Sequence, residues 1–141
     1  MATYLCKSEP DDYSYDDLVR DKQTDWDGVT NNAAQKHMRG IKKGDDILFY
    51  HTGDEKRIAG LATVTKAAYP DPDKPGELAT GEPKHVLFDL KPTKAATKDC
   101  TLADVKADDR FADFALVKQA RLSVMPVPAA LDKALRKMAG L

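Results

Sequence analysis

The chain is poor in cysteine and in metal-binding patterns. It holds two cysteines among 141 residues, Cys6 and Cys100, which are too far apart in sequence to form a Cys-x-x-Cys pair. The three histidines, His37, His51 and His85, are scattered and complete no zinc-ligand spacing with them. We therefore expect no metal and no cofactor. So little cysteine is typical of a reducing compartment, and we expect the protein to be cytoplasmic.

The chain also lacks an excess of either charge and any long apolar run. Lys plus Arg total 22 and Asp plus Glu total 23, which gives a net charge of -1. No global basic field can hold nucleic acid non-specifically, so any nucleic-acid contact has to come from a local patch or a specific pocket. No run approaches the roughly 18 apolar residues of a membrane span, and the apolar stretch of residues 1–7 is too short for a signal peptide. We expect one domain over residues 1–141, without membrane association.

The only tryptophan, Trp26, lies in a polar loop instead of an apolar run. Residues 24–32, Thr-Asp-Trp-Asp-Gly-Val-Thr-Asn-Asn, surround its ring with aspartates, a glycine and asparagines. One interpretation is that Trp26 anchors the loop to the core while Asn31 or Asn32 caps the following helix. The other is that the ring stacks on a flat heterocycle and an asparagine amide binds the edge of that heterocycle. The residues alone leave both interpretations open.

Alternating apolar residues and turn signals predict five short strands with helices between them. The predicted strands span residues 3–7, 46–51, 57–65, 84–91 and 122–125. The predicted helices span 15–20, 33–39 and 128–138, with shorter helical turns after Thr101 and over 110–119. Gly60 inside a strand predicts a bulge or a close backbone approach, and the proline- and glycine-rich residues 69–82 predict a loop. The pattern indicates an α+β fold, a small and mostly antiparallel barrel with helices outside it.

Three separated blocks of the chain resemble the EVE domains of the PUA-like superfamily. The blocks are Lys7-Ser8-Glu9-Pro10, Trp26-Asp27-Gly28-Val29-x-Asn31 and Arg121-Leu122-Ser123-Val124-x-Pro126-Val127. Shorter matches occur at Tyr13-Ser14, Met38-Arg39, Gly44-Asp45, Phe49-Tyr50-His51 and Tyr69-Pro70-Asp71-Pro72. These matches follow in order and at matching spacing, so the resemblance extends over essentially the whole chain.

The resemblance implies a fold and a ligand class. It implies a PUA-like, mostly antiparallel pseudo-barrel of five to six strands with peripheral helices, close to the YTH domains that bind methylated adenine in RNA. It also implies a pocket for a modified nucleobase, foremost a modified cytosine in DNA and alternatively a base in RNA. Some EVE domains are fused to nucleases in defence systems, so a nuclease or another defence protein is a candidate partner. We expect the protein itself to be a monomer.

The resemblance places a modified-base pocket around Trp26, on whose ring the base would stack. The Asn31 amide offers both a donor and an acceptor to a base edge. Tyr50 and His51 point to opposite sides of their strand, and we favour Tyr50 as the pocket aromatic. The predicted ligand-binding residues are Ser8, Glu9, Trp26, Asn31, Tyr50 and Ser123.

Contacts to the nucleic-acid backbone need cations near the pocket. EVE sequences usually carry an arginine where this chain has Thr30, so other basic residues would have to compensate. The predicted backbone-binding residues are Lys36, Arg39, Lys42, Lys43 and Arg121. The aspartates between positions 11 and 21 instead predict a solvated helix face that repels nucleic acid, so we expect the binding face elsewhere.

These residues favour a non-catalytic binding module that recognises a modified nucleobase. The alternative is a small enzyme or small-molecule-binding module that acts on a free or flipped modified base, in which Glu9 with His51, or Cys6, would carry the chemistry. The chain lacks the His-x-Glu and Cys-x-x-Cys signature of zinc deaminases, which disfavours zinc-dependent deamination. A protein-interaction module built on the same barrel is a third hypothesis.

Overall fold

Six strands form one mixed sheet in the computed structural model, which describes residues 1–141. The strands are β1 (Thr3–Ser8), β2 (Thr24–Asp25), β3 (Asp46–His51), β4 (Arg57–Pro70), β5 (Val86–Ala95) and β6 (Val124–Pro126). Their order across the sheet is β2-β5-β4-β3-β1-β6. Only β1 and β3 pair in parallel. The expected α+β, mostly antiparallel architecture is confirmed, and the sheet stays open because β2 and β6 are edge strands.

Five helices connect or follow the strands. They are α1 (Tyr15–Asp21), α2 (Asn32–Arg39), α3 (Leu102–Lys106), α4 (Ala115–Lys118) and α5 (Ala129–Ala139), and a 3-10 turn covers Asp109–Phe111. Ser14 and Asp17 form a capping box at α1, in which each side chain accepts a hydrogen bond from the other residue's backbone N–H. Thr101 and Asp104 form the same motif at α3. None of these helices is long and apolar enough to cross a membrane.

The strands β4 and β5 extend beyond their predicted ends, to Pro70 and Ala95. Register shifts at three places interrupt their ladder, and such shifts bend a strand pair. Tyr69 and Pro70, which open the predicted loop, pair with β5 instead. The short strand β2, which the sequence pattern does not predict, pairs with the other edge of β5. The Trp26 N–H then donates to the Phe88 carbonyl at 2.8 Å, which holds the tryptophan beside β5.

A close contact between β4 and the Tyr15 ring explains the glycine at position 60. A Cβ atom placed on Gly60 would lie 2.5 Å from the Tyr15 ring. The ring is itself fixed, because the Tyr15 hydroxyl donates to the Leu61 carbonyl at 2.7 Å. The register of the β3–β4 ladder shifts between Phe49 and Tyr50, opposite this contact. The close backbone approach predicted at Gly60 is confirmed.

Buried side chains on both flanks fix the loop that carries Trp26. Leu18 of α1 and Met38 of α2 are completely buried. Phe49 of β3 and Phe88 of β5 are also completely buried, and both of their rings contact the Trp26 ring. The loop between α1 and α2 is therefore held by the core at both ends and in its middle.

A polar network attaches α5 to the sheet. Arg136 donates from Nη2 to Asp46 Oδ2 at 2.8 Å and from Nε to Asp132 Oδ1 at 2.8 Å. Arg136 Nη2 also donates to the Thr3 hydroxyl at 3.2 Å. That hydroxyl in turn donates to Asp132 Oδ2 at 2.8 Å. The network lies where β1 and β3 begin, at the opposite end of β1 from Ser8.

Candidate functional site

A cavity of about 660 Å³ opens where β1 ends, beside the Trp26 loop and the segment that leads into β6. Ligand pockets in proteins usually have volumes of roughly 300–1,000 Å³, so this cavity has room for a small flat ligand. The cavity brings together six of the residues predicted from the sequence, which are Ser8, Glu9, Trp26, Asn31, Arg121 and Ser123.

Trp26 forms a rigid part of the cavity wall. Only 6% of its surface is exposed. Phe88 stacks on the indole with ring centroids 6.1 Å apart and 16° between the planes, and Phe49 meets it edge-on at 5.3 Å. Trp26 therefore anchors its loop in the core and also lines the cavity. A ring held in this way offers a preformed surface to an aromatic ligand.

Asn31, and not Asn32, caps α2. Its Oδ1 accepts a hydrogen bond from the Ala34 N–H at 3.0 Å. Its amide NH₂ has no hydrogen-bond partner in the protein and borders the cavity. The Ser123 hydroxyl is also free, whereas the Ser123 carbonyl accepts from the Lys7 N–H at 2.8 Å. These two side chains supply hydrogen-bond donors for a ligand.

Ser8 and Glu9 are held in place by hydrogen bonds within the protein. The Ser8 hydroxyl donates to the Tyr13 carbonyl at 2.6 Å. The Thr52 hydroxyl donates to Glu9 Oε2 at 3.1 Å. Gly53 leaves room for the Glu9 carboxylate, since a Cβ atom on Gly53 would lie 2.7 Å from Glu9 Oε2. Ser8 therefore shapes the rim, and Glu9 presents a carboxylate in a fixed position.

Carboxylates dominate the charged lining of the cavity. Asp12, Asp25 and Asp27 line it together with Glu9. Burial raises the pKa of Asp25, and the negative charges of Asp27 and Asp89 raise it further. Carboxylates accept hydrogen bonds from amino groups and repel phosphates. The lining therefore suits the amino edge of a base and disfavours a phosphate inside the cavity.

Two cations, Arg121 and Lys7, border the cavity on its β1 side. Arg121 is exposed and has no hydrogen bond or ion pair within the protein. Lys7 Nζ donates to the Ala120 carbonyl at 3.1 Å. Burial lowers the pKa of Lys7, because a desolvated ammonium loses hydration. An anion beside this pair of cations would be stabilised by both.

Tyr50, which the sequence analysis favours as the pocket aromatic, does not line the cavity. Consecutive residues of a strand face opposite sides, and the Phe49 ring is the one that contacts Trp26. Tyr50 therefore points the other way and lines a second recess. The second aromatic residue of the cavity is Tyr13, whose hydroxyl donates to Asp21 Oδ2 at 2.9 Å.

Four of the predicted backbone-binding cations lie outside the cavity lining. Lys42 and Lys43 precede β3, at the start of the parallel β1–β3 pair, whereas the cavity lies at the end of that pair. Five residue steps along a strand separate these ends by about 16 Å. Lys36 lies further along α2, which begins at the cavity, and Arg39 at its end donates to the Lys84 carbonyl at 3.2 Å.

The residues considered for catalysis are not assembled at the cavity. Cys6 is completely buried, and burial raises the pKa of its thiol. His51 Nε2 accepts from the Tyr15 N–H at 3.0 Å, so its Nδ1 carries the proton and donates to Glu55 Oε1 at 3.0 Å. His51 thus pairs with Glu55, not with Glu9. No group of His, Cys, Asp and Glu side chains has the arrangement of a metal site.

Sequence reasoning missed nine residues of the lining, and five of these have charged or aromatic side chains. These five are Lys7, Asp12, Tyr13, Asp25 and Asp27. Asp25 and Asp27 flank Trp26 directly, and Lys7 precedes Ser8, so adjacency to the strongest motif residues was the available signal. Of the aspartates between positions 11 and 21, which the sequence predicts to form a solvated helix face, only Asp12 lines the cavity.

Comparisons with known proteins identify a matching domain family and relatives of similar sequence and structure. Residues 2–138 match the EVE domain. A Rhodopseudomonas palustris protein solved by NMR is 42% identical and superposes with a TM-score of 0.88 over 99% of this chain and 94% of that chain. Human thymocyte nuclear protein 1 is 30% identical over 152 residues, which span 88% of this chain and 68% of the human protein.

Two further solved structures share this fold. The crystal structure of human thymocyte nuclear protein 1 in complex with DNA containing 5-methylcytosine superposes with a TM-score of 0.86, at 27% identity, over 98% of each chain. An ASCH protein from Zymomonas mobilis, 11% identical, superposes with a TM-score of 0.58 over 96% of this chain and 94% of that chain. At that identity the likeness concerns the fold alone. The expected PUA-like fold is confirmed.

Proposed function

The chain belongs to the EVE domain family, and on this premise we propose that it binds DNA carrying a modified cytosine and holds that base in the cavity beside Trp26. The human relative that shares its fold, thymocyte nuclear protein 1, has been crystallised with DNA containing 5-methylcytosine. The observation that carries the proposal is the composition of the cavity, in which an aromatic wall, free donors and fixed carboxylates face one space.

The hydrogen-bonding groups of the cavity complement a cytosine. Cytosine presents an amino group, which donates, and a ring nitrogen and a carbonyl oxygen, which accept. Glu9 and the aspartates of the lining are acceptors for the amino group. The Asn31 NH₂ and the Ser123 hydroxyl are donors for the other two atoms. Trp26 and Tyr13 supply the aromatic surface, and stacking of a base on such a surface contributes roughly 1–3 kcal/mol.

A base enters this cavity only after it leaves its stack. Extruding a base from a duplex costs a few kcal/mol, so a single strand should bind more tightly than a duplex of the same sequence. Burying one extra methyl group contributes about 0.8 kcal/mol. The methyl group alone therefore favours 5-methylcytosine over cytosine by about fourfold.

We propose that the protein is a binding module and not an enzyme. The buried Cys6 thiol and the His51–Glu55 pair lie apart from the cavity, so neither is positioned to attack a bound base. Incubation with 5-methyldeoxycytidine and with a modified oligonucleotide, followed by chromatography, should return both unchanged. Product formation that survives repeated purification would contradict this part of the proposal.

Competition measured by fluorescence anisotropy tests the binding function. The probe is a labelled single-stranded DNA of about ten nucleotides with one central 5-methylcytosine. Competitors are the unlabelled strand, its unmodified form, its duplex and the RNA of the same sequence. We expect the modified single strand to compete best. Equal competition by the modified and unmodified strands would contradict the proposal, and equal competition by RNA would widen the ligand class.

In the same assay, a Ser123→Ala variant tests whether the base lies beside Ser123 in the cavity. It removes one free donor and leaves the backbone carbonyl that accepts from the Lys7 N–H. Losing a neutral hydrogen bond worth about 0.5–1.5 kcal/mol should weaken binding of the modified strand roughly two- to twelvefold. Thr93→Ala, an exposed hydroxyl on β5 that lies outside the cavity lining, is the matched control and should bind like the unaltered protein.

A further inference from the structure

A second recess, of about 280 Å³, lies beside the first cavity. Three lysines line it, Lys7, Lys56 and Lys106, and no carboxylate does. Apolar side chains form its floor, among them Leu102 and Leu116. We call it the lysine recess. Three ammonium groups around an apolar floor create a local positive potential in a chain whose net charge is only -1.

None of the three lysines of this recess takes part in an ion pair. The ion pairs of the protein lie elsewhere, for example at Lys118 and at Arg136. Unpaired like charges repel one another, so their gathering in one recess carries a cost that a bound anion would remove. Tyr50 also lines the recess, and its hydroxyl has no hydrogen-bond partner in the protein.

Burial raises the pKa of Tyr50 to about 12, so its hydroxyl keeps its proton near neutral pH. A protonated hydroxyl among ammonium groups can donate to an anionic oxygen. Thr52 lines the same recess, although its hydroxyl is already bonded to Glu9. The recess therefore offers four donors for an anion, namely Lys7, Lys56, Lys106 and Tyr50.

The lysine recess adjoins the cavity that faces Trp26. Lys7 lines both spaces. Thr52 lines the recess and donates to Glu9, which lines the cavity. The two spaces are therefore neighbours at the end of β1.

The charges of the two spaces are complementary to the two parts of a nucleotide. Carboxylates line the cavity and suit a base with an amino group, whereas they repel a phosphate. Lysines, two hydroxyl residues (Tyr50 and Thr52) and apolar groups line the recess, and no carboxylate does. We propose that the lysine recess binds backbone phosphates of the DNA strand whose base occupies the cavity. This inference rests on the proposed function, because it takes the occupant of the cavity to be a base.

The test compares two pairs of lysines by the salt dependence of DNA binding. Lys56→Gln/Lys106→Gln removes two charges from the recess and keeps polar, unbranched side chains that are only slightly shorter. Lys133→Gln/Lys137→Gln removes two charges from exposed positions on α5, which is attached at the far end of β1. Thermal unfolding first establishes that both variants are folded, and Lys106→Gln alone replaces the double variant if that fails. The ligands are the single strand with 5-methylcytosine and its unmodified form.

We expect the recess variant to lose salt dependence. The slope of log K against log salt should fall by about 0.7 for each single-strand phosphate contact removed, which is about fivefold in affinity per contact near 0.1 M salt. The preference for the modified base should remain, because phosphate contacts carry no base information. The α5 variant should keep the slope of the unaltered protein.

The outcomes separate this inference from the proposed function. If the recess variant keeps the slope of the unaltered protein, the recess does not bind phosphate, while selectivity for the modified base still stands. If the slope falls but the unaltered protein shows no base preference, the recess binds phosphate and the modified-base function is wrong. Absence of binding to either strand would overturn both.

Discussion

At the scale of single residues, Asn31 combines two separable roles in one side chain. Its amide oxygen caps α2 by accepting from the Ala34 N–H. Its amide NH₂ borders the cavity without a partner. The first role stabilises the fold, and the second is available to a ligand. Variants that keep the oxygen and remove the NH₂ can therefore separate binding from stability.

We expect Asn31→Ser to weaken binding and to leave stability nearly unchanged. Serine caps helices about as well as asparagine, so the free energy of unfolding should stay within about 0.5 kcal/mol. The lost donor should weaken binding of the modified strand about two- to twelvefold. Asn31→Ala, the control, should also lose about 1 kcal/mol of stability with the cap. Urea unfolding and anisotropy measure both quantities, and unchanged binding by Asn31→Ser would show that the NH₂ contacts no ligand.

Gly60 is a residue whose identity the packing of the Tyr15 ring requires. A Cβ at this position would meet the hydrogen-bonded Tyr15 ring at 2.5 Å. We expect Gly60→Ala to destabilise the protein by about 1–3 kcal/mol, the usual cost of overpacking. Gly40→Ala is the matched control, because its Cβ would lie 3.3 Å from the Tyr4 hydroxyl and its φ of -87° suits alanine. Equal unfolding midpoints for the two variants in urea would contradict the packing account.

At the scale of elements, the two ends of β1 have different roles. Its last residues, with the Trp26 loop and the segment before β6, form the cavity. Its first residue, Thr3, belongs to the network through which Arg136 attaches α5. The parallel pairing of β1 with β3 keeps these two ends apart. Changes in the α5 network should consequently affect stability and leave the affinity for DNA unchanged.

We expect Arg136→Ala to destabilise the protein by about 1–3 kcal/mol, because hydrogen bonds to charged groups are lost and Asp46 and Asp132 remain half-buried without their partner. Lys118→Ala breaks an exposed ion pair with Asp113 and should cost at most about 1 kcal/mol. Thermal and urea unfolding compare them at equal protein concentration. If Arg136→Ala destabilises the protein by no more than Lys118→Ala does, the network contributes no more than an exposed ion pair, which would contradict this account.

The strands could be predicted where local alternation sets them and not where pairing does. β3 is a short apolar run bounded by turn residues, and the first part of β4 largely alternates, so the sequence predicts both. The continuation of β4 to Pro70 depends on pairing with β5, which no local pattern records. β2 has only two residues, Thr24 and Asp25, which is too short for any period. The positions of β2 and of the end of β4 are therefore set by pairing with β5 in the assembled sheet.

The residues predicted for the cavity also divide into those that local sequence identifies correctly and those that depend on the assembled fold. Trp26, Asn31 and Ser123 lie within the motif blocks that resemble EVE domains, so their shared location was expected. Alternation predicts that Tyr50 and His51 face opposite sides, but not which side holds a ligand. In the fold neither residue lines the cavity, since Tyr50 faces the lysine recess and His51 bonds to the start of α1. Which side of β3 faces the cavity depends on how the separate loops pack against the sheet, and local sequence does not record this.

At the scale of the whole molecule, a nearly neutral chain carries segregated charge. Although the net charge is only -1, carboxylates are concentrated in the cavity and lysines in the adjoining recess. Such a protein should bind unmodified DNA weakly, because it presents no broad basic surface. Under the proposed function, affinity and selectivity depend on one base in the cavity and on phosphates in the lysine recess beside it.

A titration followed by heteronuclear NMR tests this central claim most directly. The chain has one tryptophan, so a single indole N–H resonance reports on the wall of the cavity. Adding a single-stranded DNA with one 5-methylcytosine should shift that resonance and the amides of residues 7–13, 24–31 and 121–123. The unmodified strand should give smaller shifts of the same resonances at equal concentration. Shifts confined to other surfaces, or identical shifts with both strands, would contradict the account.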